Sequence, residues 1–77
     1  MPSRELLLCA AANDVALPLA FARLLAEECP WLGSEEVNES LGIELLSEQC
    51  AQANVAHSQV EQFLYAYNAR VRAQVLK

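Results

Sequence analysis

The sequence predicts an all-α fold, a small orthogonal bundle of four or five helices closed by a long C-terminal helix. Three observations predict it. Of the 77 residues, 55% are hydrophobic and only two are glycine; leucine and alanine dominate, and these have the highest intrinsic helix propensities. Apolar residues recur at spacings of three and four along most of the chain, the period of a helix with one face inward. Strand-favouring aromatic and β-branched residues are sparse, so no competing period-two pattern develops. A chain of this length allows one domain, residues 1–77.

The elements follow in order. Ser3 is placed to cap a first helix, with Glu5 in the first turn, where the helix dipole favours an acid. Leu6, Leu7, Cys9 and Ala10 supply its apolar residues. At Asn13-Asp14 two readings stand. Either Asp14 caps a second helix that carries Pro18 at its fourth position, or one helix runs through and kinks at Pro18. The second helix reaches about Cys29, because Pro30 disfavours helical geometry at the residue before it. Leu17, Phe21, Leu24 and Leu25 form its main stripe, Leu19, Ala22 and Ala26 a second apolar side, and Arg23 and Glu27 a narrow wet face. Such a helix belongs at the centre of the bundle.

Pro30-Trp31-Leu32-Gly33 is a turn, after which Ser34 is placed to cap a short helix with Glu35 and Glu36 in its first turn and Gly42 as its interruption or end. The next helix turns Ile43, Leu46, Cys50 and Ala53 inward, and Asn54 closes it. Ser58-Gln59-Val60-Glu61 reads as a capping box opening the last helix. There Val60, Phe63, Leu64, Tyr67, Val71 and Val75 form the inward stripe, and Glu61, Tyr65, Asn68 and Arg72 a wetter one. The expected centre of the core is Leu24, Leu25, Leu46, Val60, Phe63, Leu64 and Tyr67.

Composition narrows the function classes. The net charge of −5 is uneven: residues 1–47 hold eight acids against two bases, residues 48–77 two acids against three bases. An acidic surface repels phosphate backbones and anionic membranes and favours basic partners. Cys9, Cys29 and Cys50 have neither the spacing of a zinc site nor that of a disulfide framework, and each reads as a small buried hydrophobe in a reducing compartment. The Leu6-Leu7-Leu8-Cys9 run is too short for a signal h-region, and no stretch has the length to span a bilayer. The expectation is a cytoplasmic protein away from membranes. Catalysis is poorly supplied: His57 is the only histidine, no glycine-rich phosphate loop occurs, and the acids sit mostly in adjacent pairs. No enzyme activity, cofactor or metal is expected.

Two segments resemble known motifs. Glu39-Ser40-Leu41-Gly42-Ile43-Glu44-Leu45 resembles the Asp-Ser-Leu segment of acyl carrier proteins, whose serine carries phosphopantetheine. It departs in three ways: Glu precedes the serine, the next acid comes one residue early, and too few residues separate Ser40 from the last helix. Ser40 therefore reads as a turn or cap residue. Glu48 to Tyr65 resembles a helix-turn-helix, with Cys50 in the small-residue slot, Asn54 in the turn-glycine slot and Val60 in the buried aliphatic slot. That resemblance implies DNA contact by His57, Ser58, Gln59 and Gln62 in the major groove and by Arg70 or Arg72 at phosphate. The capping box at Ser58 starts the last helix about two residues later than the motif prefers, and the flanking charge is near neutral.

The leading expectation is a small acidic adaptor or inhibitor that acts by binding a partner protein, with homodimerisation through the last helix as a further possibility. Its contact residues are Glu35, Glu36 and Glu39 on the acidic front, Tyr65 and Arg72 on the last helix, and Trp31, which either lids one end of the core or anchors an interface. DNA binding is the alternative.

Overall fold

The computed structural model describes residues 4–33 and 35–75, the last of these by its backbone alone. It contains five helices: α1 (Arg4–Asp14), α2 (Leu19–Glu28), α3 (Glu39–Leu45), α4 (Ser47–Ala53) and α5 (His57–Val75). No strand occurs among the described residues. α1 packs on α2 and α5, α3 on α4 and α5, and α2 on α4. Ser3 and Ser34, read as caps, lie outside the described residues, as do Lys77 and the side chain of Val75.

One cluster of buried apolar side chains joins the helices. Phe63 is fully enclosed, its ring edge-on to Phe21 at 5.7 Å and stacked with Tyr67 at 6.3 Å. Leu25, Leu46, Val60, Leu64 and Tyr67 are buried around it as the helical period requires, while Leu24 is only half-buried. Cys29 and Cys50 are buried, and desolvation pushes both thiols up from their ordinary pKa.

Several local expectations are corrected. α1 buries Leu7, Leu8, Ala11 and Ala12, whereas Leu6 stands outside and Cys9 and Ala10 are half-buried. The cause is Arg4. Its guanidinium donates to the carbonyls of Ala26 at 2.7 Å and Leu25 at 3.3 Å, and to those of Cys29 and Leu32. These carbonyls lie at and beyond the end of α2; those of Leu25 and Cys29 also accept from Cys29 N and Leu32 N, and the shared grip of Arg4 fixes the rotation of α1. Neither reading of Pro18 holds. α1 ends at Asp14, the chain turns through Ala16 at a positive φ of 59°, and Pro18 is itself the residue before α2. A proline there loses no helical bond, so kinking never arises. Asp14 caps nothing and instead holds Arg70. Leu19, placed by periodicity on an apolar side, is half exposed.

Residues 35–38 do not form the expected helix. α3 starts at Glu39, with the Asn38 side chain accepting from Leu41 N at 3.0 Å. Gly42 lies within α3 and does not interrupt it: a Cβ there would lie 2.7 Å from Leu64 Cδ1. Only a glycine lets α3 seat this closely on α5 without moving Leu64. The break comes at Leu46 (φ −98°, ψ 6°), and it is slight, since Leu46 N still bonds Gly42 O and Cys50 N bonds Leu46 O at 2.9 Å each. Of the inward face read for this helix, Leu46 and Cys50 are buried, Ile43 half-buried and Ala53 exposed. Gln49 is buried in its place, donating to Glu28 at 3.2 Å.

Asn54 closes α4 in the left-handed region (φ 56°, ψ 45°), as its amide side chain tolerates. The last helix begins at His57 and not at a Ser58 cap. Gln59 serves the reciprocal function, its Oε1 accepting from Ala56 N at 2.9 Å, so Ser58 and Glu61 are left exposed.

Candidate functional site

α5 organises the segment that precedes α3. Tyr67 Oη accepts from Gly33 N and donates to Glu35 O, both at 2.9 Å. One residue on, the buried Asn68 pairs with Val37 by both amide atoms: Oδ1 accepts from Val37 N at 2.8 Å and Nδ2 donates to Val37 O at 2.7 Å. Arg72 Nη1 meets Glu36 Oε1 at 2.6 Å, with both side chains about half exposed. Three grips from one helix therefore hold Gly33, Glu35, Glu36 and Val37, which is why Glu35 and Glu36 lie on a strap instead of in a helical turn. Asn68, assigned to the wet stripe by its polarity, is buried by this pairing. Burial holds the Tyr67 phenol above its ordinary pKa, with the two backbone hydrogen bonds opposing in part.

The structure thus gathers four of the expected protein-contact residues around the strap. Glu35 and Glu36 are exposed on it, Glu39 opens α3 half-buried, and Arg72 closes on Glu36. Tyr65 lies one turn before Asn68 on the same helix and is 56% exposed, as its position off the core stripe requires. Trp31, two residues before Gly33, is 46% exposed; its neighbour Leu32 is the fully buried residue that lids the core.

Of the residues that the helix-turn-helix resemblance singles out, His57, Ser58, Gln59 and Gln62 are exposed along the start of α5. Arg70 is elsewhere engaged. Its Nε and Nη2 hold the two carboxylate oxygens of Asp14 at 2.7 and 2.8 Å, joining the end of α1 to α5. That pair keeps the Asp14 carboxyl below its ordinary pKa and the Arg70 guanidinium above its own.

The electrostatic character follows from this allocation. Arg4, Arg70 and Arg72 are all committed to internal contacts. Between Arg23 and Arg70 the chain has eight glutamates and no lysine or arginine. Among the described residues, no group of three or more His, Cys, Asp or Glu side chains is placed to hold a metal ion, and no helix is long and apolar enough to cross a membrane. Sequence reasoning missed Arg4, Gln49 and Asn68, whose partners lie at least 21 residues away. No local pattern marks them.

Tyr67→Phe removes both ends of the Gly33–Glu35 link and is expected to cost about 1–2 kcal/mol at neutral pH. The pH dependence separates it from a packing defect. A raised folded-state pKa means that the stabilisation is complete below the phenol's ordinary value near 10 and is lost as pH rises through the folded value. Urea unfolding at increasing alkaline pH should therefore show the gap between wild type and Tyr67→Phe shrinking; a constant gap contradicts the assignment.

No protein-family model, no curated protein and no solved structure matches this chain.

Proposed function

We propose that this chain is a small acidic regulatory protein, without enzymatic activity of its own, that acts by binding a basic surface on a partner protein. The observation that carries the reading is the distribution of charge. Its described basic side chains, Arg23 excepted, are engaged within the chain, Arg4 on backbone carbonyls and Arg70 and Arg72 in surface ion pairs with Asp14 and Glu36, while the eight glutamates from Glu27 to Glu61 have no lysine or arginine among them and only Glu36 is paired with an arginine. Such a surface is repelled by phosphate and attracted by lysine- and arginine-rich protein, including the basic surfaces of nucleic-acid-handling machines. Glu35, Glu36 and Glu39 supply charge on a strap that α5 holds in place, and Trp31 and Tyr65 add exposed aromatic area of the kind that anchors interfaces. Arg72 acts indirectly, by fixing Glu36.

The test is affinity capture from the native host after nuclease treatment, with wild type and a triple variant, Glu35→Lys, Glu36→Lys and Glu39→Lys. A protein retained by wild type and lost by the variant, with the helical circular dichroism unchanged, is the expected result. Equal capture by both would count against the reading.

DNA binding is kept as a second reading because of one observation: three residues, Asn54 in the left-handed region followed by Val55 and Ala56, join α4 to α5, the length of a helix-turn-helix turn. His57, Ser58, Gln59 and Gln62 would then face bases, but Arg70 would first have to leave Asp14. A low-salt mobility shift at micromolar protein decides it, since binding without salt sensitivity, or none, removes this reading.

A further inference from the structure

Leu41 and Leu45 stand one turn apart on α3, each about half exposed. Backbone bonds running through Leu46 make α3 and α4 a single bent rod over residues 39–53. Ser40, Leu41, Glu44, Leu45, Glu48 and Gln52 are exposed and fall on one side of it, while Gly42, Leu46, Gln49 and Cys50 are buried on the other. Along the exposed side Leu41 and Leu45 make a short apolar strip one turn apart, continued at a spacing of three by Glu48, while Gln52 beyond it donates to Glu28 at 3.2 Å.

Charge selects the occupant. The rod carries Glu39, Glu44 and Glu48 and no lysine or arginine. A second copy laid through the same side would set Glu44 and Glu48 against their own counterparts, and nucleic acid or an anionic membrane meets the same repulsion. We infer that the outer side of the 39–53 rod docks an amphipathic helix of a partner protein, one whose apolar residues cover Leu41 and Leu45 and whose lysines or arginines pair with Glu44 and Glu48. This rests on the acidic protein-binding reading above and gives it a surface and a partner chemistry. A helix set on this strip excludes water from two leucines that the fold itself leaves uncovered, and the flanking glutamates fix its charge register.

The probe is a synthetic peptide of about 16 residues, long enough to lie along the rod at ~1.5 Å per residue, with leucines on one helical face and lysines on the other. A scrambled peptide of the same composition is the control. Amide chemical shifts of the labelled protein should move chiefly within residues 40–52 on adding the ordered peptide, and little with the scrambled one. Leu41→Ala with Leu45→Ala should weaken binding by about tenfold; Glu44→Lys with Glu48→Lys should weaken it too, and added salt should act in the same direction. Both pairs are exposed, and an unchanged melting curve confirms that each variant is folded. Equal binding by the scrambled peptide, no binding at all, or indifference to the leucine replacements overturns the inference. So does a footprint on Glu35, Glu36 and Tyr65, although that footprint leaves the broader acidic-binding reading standing. Equal capture from the host by wild type and the Glu35, Glu36 and Glu39 variant, with peptide docking intact, would do the reverse.

Discussion

Arg4→Ala is expected to destabilise the protein by about 2–3 kcal/mol, the scale of charge-assisted hydrogen bonds lost from partly buried acceptors. In a domain of this size that lowers the melting temperature by roughly 10–20 °C. The guanidinium serves the carbonyls of Leu25, Ala26, Cys29 and Leu32 together, so its removal both uncaps α2 and unpins the first turn of α1. Arg4→Lys should recover only part of the loss, because a single ammonium cannot reproduce the planar fork. Gly33 is coupled to this site. It has a φ of +144°, and a Cβ there would lie 2.6 Å from Arg4 Cδ. Gly33→Ala should therefore cost about 2 kcal/mol from strain and displacement combined. It should cost roughly 1 kcal/mol less when Arg4 is already alanine, since only backbone strain then remains. Thermal unfolding of the four proteins in this cycle checks the claim. An Arg4→Ala protein within about 0.5 kcal/mol of wild type, the ordinary range of an uninvolved surface site, would refute it.

Phe63→Ala should have the larger effect, about 3–5 kcal/mol. The ring is fully buried, edge-on to Phe21 and stacked on Tyr67, and α5 carries it into the space that α1 and α2 enclose. A 77-residue domain has a total stability of about 4–12 kcal/mol. The variant should accordingly be largely unfolded near 37 °C, or retain helix while losing fixed packing. Phe63→Leu, which keeps most of the volume, should remain folded with a cost of about 1–2 kcal/mol. Urea unfolding followed by circular dichroism and Trp31 fluorescence distinguishes these outcomes, and a Phe63→Ala midpoint close to wild type would mean that the ring is not central.

The core of α5 was legible because it depends only on period. Val60, Phe63, Leu64, Tyr67 and Val71 fall on one side of any helix through those residues, whatever packs against it. The left-handed closure at Asn54 was legible because local sterics decide it. The rotation of α1 was not, since two adjacent leucine-rich stripes are equally apolar and Arg4 chooses between them through carbonyls at least 21 residues distant. For residues 35–38 the sequence alone predicts helix, because Glu35 and Glu36 suit a first turn. Tyr67, Asn68 and Arg72 hold that segment instead, across 31 to 36 residues of chain. Of the candidate surface, the exposure of Tyr65 could be read from its place off the inward stripe, whereas the surface ion pairs that engage Arg70 and Arg72 with Asp14 and Glu36 could not.

By itself the sequence determined that this chain is helical, which side of its last helix faces inward, and that its charge is negative, because propensity, periodicity and formal charge are properties of neighbouring residues. The tertiary structure alone decided where each helix starts, how α1 is turned, and which cations remain to meet a partner. Those outcomes depend on which buried carbonyl or carboxylate lies within reach of a side chain, and folding brings such groups together from distant parts of the chain.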